Sequence, residues 1–238
     1  MLDTLRWAEQ VFGLADRRVI EVGGTAPREV VAPWRPRSWV GCDPLAADGG
    51  DEAWGTRRAT AEALPFADAT ADLVFSTCAF EHLHDLDGAL AEITRVLRPG
   101  GALLTQFAPI WTCSVGHHLR LPGTERGTLR FRDPIVPAWG HLLLDERELA
   151  FFLCFGLPSA SAARAAAWIF HDPYLSRRPE ADYRRAFAAC GLQRRVLTSW
   201  GERVRLPRGL RAALEEAHPA AGRFDLPGFR VLLAKPGG

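Results

Sequence analysis

Apolar and polar residues between positions 71 and 108 form two short apolar runs separated by an amphipathic segment. The runs are Ala71–Thr77 and 101–108, and their composition is typical of strands that are buried on both faces. Between them, Leu86, Leu90 and Ile93 fall on one face of a helix, while charged residues fall on the other. The pattern predicts a right-handed strand–helix–strand unit with parallel strands, and ligands bind beyond the carboxyl ends of such strands.

The ends of this helix carry residues with known terminal preferences. Asp85 is a predicted N-cap, because its carboxylate can accept from the unpaired N–H groups of the first helical turn. The sequence Pro99-Gly100-Gly101 is predicted to stop the helix. The polar stretch 80–85 lies between the first strand and the helix, at the edge of the sheet where a ligand would bind.

The same two kinds of pattern predict the other elements of the chain. Helices are predicted over 2–14, 145–155, 179–190 and 207–217. Strands are predicted over 18–22, 39–42, 193–200 and 228–236, and a short third strand at 57–59 is expected to end at Ala59 and Thr60. Strands that alternate with helices in this way favour an α/β fold.

Composition narrows the class of protein further. The chain has 238 residues, of which 47% are hydrophobic, and this suits one α/β domain with added segments. Its net charge of +1 gives no electrostatic case for nucleic acid or an anionic membrane as a partner. The five cysteines have no CxxC spacing, and the sequence has no recognisable signal peptide or membrane-spanning run. We therefore expect a cytoplasmic protein with reduced cysteines. We also expect a monomer or a homodimer.

Two strand ends carry residues suited to a nucleoside-containing ligand. Glu21 and the glycines Gly23 and Gly24 follow the first strand, and glycine lets the backbone approach a ligand closely. Asp43 ends the second strand, twenty residues after Gly23, where a carboxylate can accept hydrogen bonds from both ribose hydroxyls. An ordinary turn at the glycines, and a capping or turn role for Asp43 before Pro44, are the alternative interpretations.

The segment from 61 to 101 resembles the class I S-adenosylmethionine (SAM)-dependent methyltransferases, in particular the small-molecule, methyltransferase type 11-like family. The matching positions are Ala61-Glu62-Ala63-Leu64-Pro65-Phe66, Asp72, Val74, Ser76, Glu81-His82, Leu90, Glu92, Arg95-Val96-Leu97 and Pro99-Gly100-Gly101. The resemblance implies a doubly wound, seven-stranded, mostly parallel Rossmann-like sheet whose last strand is antiparallel. It also implies insertions on the acceptor side, which we place at 109–172 and 201–226 of a single domain spanning 1–238.

The resemblance implies SAM as cofactor and S-adenosyl-L-homocysteine as its product. The residues that it assigns to cofactor binding are Glu21, Gly23, Gly24, Asp43, Pro44, Thr60, Ala61, Glu62 and Cys78. Two positions depart from the family pattern, since Thr25 and Pro27 stand where glycines are usual. Thr60 also replaces the aspartate that often bonds the adenine amino group, and its hydroxyl can still accept a hydrogen bond.

The insertion after the fifth strand is predicted to shape the acceptor site. Trp111, His117 and Trp139 are the predicted substrate-binding residues, and His118 and His141 are the candidates for a general base. A structural or substrate-orienting role for the histidines stays open. A metal site is disfavoured, because neighbouring side chains diverge on a regular element and no i, i+4 pair of ligands is present.

These observations predict an enzyme that transfers a methyl group from SAM to a small-molecule acceptor. A histidine base and aromatic walls favour O-methylation of a natural-product or sugar-type hydroxyl. The alternatives are N- or C-methylation of a small molecule, and an inactive methyltransferase-like scaffold, although a scaffold would need neither Glu21 nor Asp43. A nicotinamide dehydrogenase would need a fuller G-x-G-x-x-G loop and would leave the Pro99-Gly100-Gly101 half of the pattern unexplained.

Overall fold

The computed structural model describes residues 1–237, which form two compact units. The first unit comprises Met1–Phe107, Arg184–Trp200 and the chain from Phe229 onward, and the second comprises Ala108–Tyr183 and Gly201–Gly228. Both segments predicted as insertions, 109–172 and 201–226, fall in the second unit. None of the helices described over this range is both long and apolar enough to cross a membrane.

The regular elements are numbered in chain order. The strands are β1 Arg18–Val22, β2 Ser38–Cys42, β3 Gly49–Gly50, β4 Trp54–Arg57, β5 Ala71–Thr77, β6 Leu97–Phe107, β7 Arg120–Thr124, β8 Gly127–Arg130, β9 Gln193–Ser199 and β10 Phe229–Ala234. The α-helices are α1 Leu2–Val11, α2 Arg28–Val31, α3 Leu86–Val96, α4 Gly140–Leu143, α5 Glu146–Leu153, α6 Ser159–His171, α7 Glu180–Ala189 and α8 Arg208–Ala217.

The first unit is built on an eight-stranded sheet with the order β3-β4-β2-β1-β5-β6-β10-β9. The neighbours from β4 to β6 are parallel, whereas β10 runs antiparallel to both β6 and β9. The predicted doubly wound, mostly parallel sheet with an antiparallel last strand is confirmed. The predicted count of seven is one short, because the two-residue strand β3 pairs antiparallel with β4.

One large apolar cluster holds this sheet against α1. Leu5, Trp7 and Leu14 pack on a sheet face that carries Val19 of β1 and Phe75 of β5. Every residue of β5 except the last is buried, which explains why its sequence reads as a continuous apolar run. Burial on both faces therefore fixes the position of the strands whose carboxyl ends form the candidate site.

The helix between β5 and β6 begins as predicted and ends earlier than predicted. Oδ1 of Asp85 accepts the N–H of Gly88 at 2.9 Å, which confirms the N-cap. The helix stops at Val96, because Leu97 is already extended and pairs with Ala71 at the start of β6. The predicted stop at Pro99-Gly100-Gly101 is therefore wrong, and these residues lie within the opening of β6.

The third parallel strand is also shifted from its predicted place. It covers Trp54–Arg57 instead of 57–59, since it pairs with β2 from Trp39 opposite Trp54 to Cys42 opposite Arg57. Ala59 and Thr60 lie in the segment that follows the strand. Pairing with β2, which the sequence alone does not specify, decides where this short strand ends.

The second unit contains helices and a two-stranded hairpin of β7 and β8. Helix α5 opens with a capping box in which Asp145 accepts the N–H of Glu148 at 2.8 Å and Glu148 accepts the N–H of Asp145 at 2.9 Å. Its apolar face is narrow, because Leu149 and Leu153 are its buried residues while Phe151 is exposed. Helix α6 was not predicted, since its alanine-rich sequence has few large apolar residues to mark a stripe.

Candidate functional site

The candidate cofactor site lies at the carboxyl ends of β1 and β5, where the order of strands in the sheet reverses. On one side of β1 the chain continues to β2 and β4, and on the other side to β5 and β6. The loops that leave neighbouring strands diverge at such a point and leave a crevice. Three connections meet here: Gly23–Pro27 after β1, Asp43 and Pro44 after β2, and 78–79 after β5.

Gly23 brings the first and third of these connections into contact. Its φ of +72° is in the left-handed region, and its N–H donates to the carbonyl of Cys42 at 2.8 Å. A Cβ at this position would overlap the Cβ of Ala79. Gly23 is therefore required by both the conformation and the packing of the chain.

Glu21 anchors the loop from inside the unit. Its side chain is 1% exposed, and Oε2 accepts from the N–H of Ala26 at 2.8 Å and from Nε1 of Trp39 at 2.7 Å. Burial raises the pKa of Glu21, while the two hydrogen bonds oppose the rise. The carboxylate therefore holds the loop in place, and a contact between Glu21 and the cofactor stays a prediction.

A glycine in β2 allows the same loop to lie against the sheet. A Cβ on Gly41 would overlap the carbonyl oxygen of Gly24, and a Cβ on Gly24 would overlap Oε1 of Glu21. Gly41 was not among the predicted site residues. The signal that could have found it is an isolated glycine within a strand, which often marks a close backbone approach.

The two departures from the glycine-rich pattern are compatible with this geometry. Neither Thr25 nor Pro27 has a positive φ, so neither position needs glycine. The N–H groups of Gly24 and Thr25 donate to no protein atom within the described part of the chain. These two N–H groups are therefore available to a ligand.

Asp43 presents part of its carboxylate at the end of β2. Oδ1 accepts the N–H of Leu45 at 2.7 Å, and the N–H of Asp43 donates to the carbonyl of Arg57 at 3.2 Å. The side chain is half-buried, and no protein group over residues 1–237 donates to its Oδ2. Oδ1 therefore has the turn role that was the alternative interpretation of Asp43, and Oδ2 can accept a hydrogen bond from a ligand.

The other predicted cofactor residues of the first unit differ in how far they are exposed. Pro44 and Thr60 are exposed, Ala61 is buried, and Glu62 is half-buried. Cys78 is exposed with a φ of +53°, and its N–H donates to the carbonyl of Gln106 at 2.9 Å. Because that N–H is already bonded within the protein, it is not the backbone group of Cys78 that would contact the cofactor.

Glu81 lies just beyond these connections and is buried at 5% exposure. Burial raises the pKa of its carboxyl group to about 8, so the group is protonated at neutral pH. His82, which follows it in the short turn Phe80–His82, is half-buried.

The second unit buries two of the predicted acceptor-site histidines as neutral rings. Nε2 of His141 donates to the carbonyl of Trp111 at 2.8 Å, and burial lowers the pKa of His141 to about 4. Nδ1 of His117 accepts the N–H of Leu119 at 3.2 Å, and burial lowers the pKa of His117 well below its usual value. The ring centroids of His117 and His141 are 5.4 Å apart.

The remaining predicted acceptor-site residues are placed differently. Trp139 is 2% exposed, and its Nε1 donates to the carbonyl of Phe224 at 2.9 Å, so it is a packing residue of this unit. Trp111 is half-buried, with the ring of His141 edge-on at 4.6 Å. His118 is half-buried with a φ of +49°, and its Nδ1 bonds the carbonyl of Gly116 at 2.9 Å. Of the two candidate bases, His118 is the more accessible.

Comparisons with known proteins identify the segment that follows β2. Residues 45–105 match a family model described as a methyltransferase domain. Over 65 residues the chain is 43% identical to the uncharacterized protein YafE of Escherichia coli strain K12. The matched segment is 27% of this chain and 30% of that protein. Over 54 residues it is 50% identical to a malonyl-[acyl-carrier protein] O-methyltransferase of Methylococcus capsulatus, covering 23% of this chain and 20% of the relative. The chain thus spans less than a third of the length of these relatives.

A solved structure extends the likeness over nearly the whole chain. An S-adenosylmethionine-dependent methyltransferase from Mesorhizobium loti aligns with a TM-score of 0.57 and 14% identity, covering 98% of both chains. The chain has the class I methyltransferase fold. The resemblance predicted from the sequence is confirmed for the fold and for the segment that matches the methyltransferase domain. The solved structures with this fold include S-adenosylmethionine-dependent methyltransferases, the class whose cofactor the sequence predicted.

The first unit of this methyltransferase-fold chain has the donors and acceptors that SAM requires. Oδ2 of Asp43 can accept from a ribose hydroxyl, and the N–H groups of Gly24 and Thr25 can donate to the methionine carboxylate. The close packing of Gly23, Gly24 and Gly41 holds these groups on a rigid loop. The residues that are present therefore fit the cofactor.

Proposed function

We propose that this chain transfers the methyl group of SAM to an oxygen atom of a small-molecule acceptor, a natural product or sugar-type compound that carries a hydroxyl group. The observation that supports it most is the reversal of strand order in the sheet, with Oδ2 of Asp43 and the N–H groups of Gly24 and Thr25 unbonded at the strand ends there. The O-methyltransferase named among the relatives supports oxygen as the atom that is methylated.

When bound, SAM supplies a methyl group that is activated by a sulfonium centre. The chain's own residues contribute position: Asp43 orients the ribose, and the loop after β1 holds the methionine end. Because Glu21 fixes this loop through Ala26 and Trp39, the binding groups are ordered before the ligand arrives. Holding two reactants in line can contribute roughly 7–11 kcal/mol to lowering a barrier.

Transfer to a hydroxyl group also requires removal of its proton. His118 is the residue that we propose as the base, because it is half-buried whereas His141 is only 3% exposed. A positioned base contributes about 10²–10⁴-fold to the rate. Transfer to a neutral amine or to carbon would not need this residue, so its role separates O-methylation from the alternatives.

The proposal is tested by equilibrium binding of SAM, S-adenosyl-L-homocysteine and NAD to the purified chain. We expect both SAM and its product to bind and NAD to be rejected. Asp43→Asn keeps the Oδ1 bond to Leu45 and removes the second carboxylate oxygen, so SAM affinity should fall by about 1–3 kcal/mol. Asp48→Asn is the matched control, because Asp48 accepts the N–H of Arg58 at 2.8 Å in the same loop region.

Three results would contradict the proposal in different ways. Failure of SAM and of its product to bind would leave a scaffold role. Equal affinity of SAM for Asp43→Asn and wild type would remove the ribose assignment and leave the fold untouched. Binding without formation of S-adenosyl-L-homocysteine, across a panel of hydroxyl, carboxyl, amine and carbon acceptors, would remove the methyl transfer itself.

A further inference from the structure

The second unit contains a cavity of about 330 Å³ that no step of the proposed methyl transfer uses. Its volume is at the small end of the range for small-molecule pockets, roughly 300–1,000 Å³. Part of its wall is apolar, from Leu142, Pro179, Pro219, Ala220 and Ala221. The polar part includes Thr112, Arg177 and Asp182, and Trp111 closes one side. A cavity with a mostly apolar wall and a few polar groups is the usual form of a site for a small organic ligand.

Arg177 supplies a positive charge that makes no ion pair within the described residues, although the charge of Asp172 is near enough to raise its pKa against the effect of burial. Its guanidinium group donates to three carbonyls, those of Ile169 at 3.0 Å, Asp172 at 3.0 Å and Leu175 at 3.2 Å. No carboxylate within the described residues lies in ion-pair distance of it. A guanidinium group has five N–H donors, and the contacts made by Arg177 leave one on Nη1.

The position of Arg177 is fixed by its surroundings. Its φ is +51°, and its Cζ lies 5.7 Å from the ring centroid of Trp111. Burial lowers the pKa of Arg177, which means that its charge is poorly solvated and would be stabilised by an incoming anion. A partly buried cation held by carbonyls in a cavity is thus suited to bind a carboxylate.

Thr112 gives an independent sign of a ligand in the same cavity. Its side chain is 1% exposed, and its Oγ1 has no hydrogen-bond partner in the described part of the chain. Buried polar atoms are nearly always paired, since an unpaired hydroxyl costs about 1–3 kcal/mol of folding free energy. A ligand acceptor in the cavity would provide the partner that the protein does not.

The acidic group on the wall does not oppose an anion strongly. Oδ2 of Asp182 lies 3.9 Å from Nη1 of Arg178, four residues earlier in the chain, so its charge has a nearby cation. The cavity therefore combines one unpaired cation, one unpaired hydroxyl and a largely apolar wall.

We propose that this cavity binds a small organic acid, whose carboxylate accepts hydrogen bonds from Nη1 of Arg177 and from Oγ1 of Thr112. The apolar body of the acid packs against Leu142 and the two prolines, Pro179 and Pro219. This goes beyond the proposed methyl transfer and does not depend on it, because the residues that carry it belong to the second unit and binding needs no methyl donor.

The test is isothermal titration of the full chain with phenylacetate and octanoate, and with their neutral amides, up to about 10 mM. We expect at least one acid to bind saturably and about tenfold more tightly than its amide, because a charge-assisted hydrogen bond is roughly twice as strong as a neutral one. Arg177→Gln should remove this preference for the acid. Arg164→Gln is the matched control, since Arg164 also donates to carbonyls, those of Pro122 and Gly123, and does not line the cavity.

Two further variants keep the test decisive if Arg177→Gln fails to fold. Thr112→Val removes the unpaired hydroxyl, so it should weaken the acid by about threefold to tenfold while leaving the thermal stability of the ligand-free chain equal or higher. Ala220→Leu fills the cavity from an exposed position without removing a polar group, and it should block both acids.

Specific outcomes would overturn the proposal. These are no saturable binding of either acid to the wild-type chain, equal affinity for acid and amide, or unchanged binding to Ala220→Leu. Because SAM binding is measured on the same samples, loss of the acid site and loss of the methyl-donor site are distinguished.

Discussion

The indole Nε1 of Trp39 donates to Oε2 of Glu21 at 2.7 Å, and through this bond a buried carboxylate joins the second strand to the loop after the first. The same oxygen accepts the N–H of Ala26 at 2.8 Å. Trp39 is 3% exposed and packs against the ring of Phe75 at 5.2 Å, so neither partner can turn to water. The geometry of the candidate SAM loop therefore depends on a donor that is buried in the sheet.

Trp39→Phe should destabilise the fold and weaken SAM binding together. The substitution leaves a buried carboxylate oxygen with one donor fewer, at a cost of about 1–3 kcal/mol in the free energy of unfolding. Because Phe is also smaller than Trp, a double-mutant cycle with Glu21→Leu, which has no acceptor, separates the hydrogen bond from the lost volume. We expect a coupling energy of about 0.5–3 kcal/mol in urea unfolding. Trp54→Phe, opposite Trp39 on β4, should show none.

Gly23→Ala should unfold or severely destabilise the first unit. The new methyl group would overlap the Cβ of Ala79, and the left-handed φ adds a strain of roughly 1–2 kcal/mol. Gly13→Ala is the matched control, because Gly13 has a φ of +76° and a Cβ there would have no neighbour within 4 Å. Gly13→Ala should therefore lose only the stability that corresponds to the strain of the left-handed φ. Thermal unfolding measures the loss for both variants.

The overlap itself is tested by removing the other methyl group. The double variant Gly23→Ala/Ala79→Gly should recover a large part of the stability that Gly23→Ala loses, because one of the two overlapping atoms is gone. If the double variant is no more stable than Gly23→Ala, the contact between these two connections does not control the loop.

His118→Asn should lower turnover by about 10²-fold or more while leaving SAM affinity unchanged, once an acceptor is known. Asparagine suits this position, since it tolerates the left-handed φ of +49° and its amide can donate to the carbonyl of Gly116 as Nδ1 of His118 can. The loss should appear in kcat, because SAM and acceptor binding are retained. Turnover within a few-fold of wild type would show that no histidine base operates at this position.

Local patterns of apolar and polar residues were sufficient to predict most strands of the sheet. The ranges of β1 and β5 were predicted to the residue, because both are short, mostly apolar runs of the kind that strands buried on both faces require. The short strand β4 was misplaced and β3 was missed, since both are defined by pairing with a neighbour and not by their own composition. Helix α6 was missed for a related reason, as small alanines can pack without a visible apolar stripe.

The candidate site was only partly predictable. The sequence predicted that Gly23 and Asp43 follow the first two strands, and the structure has them there, because strand ends and loop residues are local features. The role of Glu21 depends on Trp39, eighteen residues away, and that of Gly23 depends on Ala79. The other predicted site residues differ from expectation through their burial, which the sequence does not show. Trp139 and His141 were predicted to face an acceptor, and both have almost no exposed surface.

Acidification should destabilise the second unit through its buried histidines. Burial lowers the pKa of His141 to about 4, whereas an unfolded histidine titrates near 6.5. Between these values the unfolded chain takes up a proton that the folded chain does not, so stability is present above pH 6.5 and is lost as pH falls toward 4. For His141 alone the loss between pH 7 and pH 5 is about 2 kcal/mol.

The measurement that isolates this effect compares the wild-type chain with His141→Gln by urea unfolding at pH 7 and pH 5. Glutamine retains an Nε2 donor for the carbonyl of Trp111 and cannot titrate, so the variant should lose less stability than wild type on acidification. A smaller fall should remain, because burial also lowers the pKa of His117 well below its usual value. His171→Gln is the comparison at an exposed histidine, whose Nε2 lies 2.7 Å from Oε2 of Glu146. Identical losses for wild type and His141→Gln would mean that the His141 ring is hydrated or protonated in the folded chain at pH 5, and that its burial does not keep it neutral.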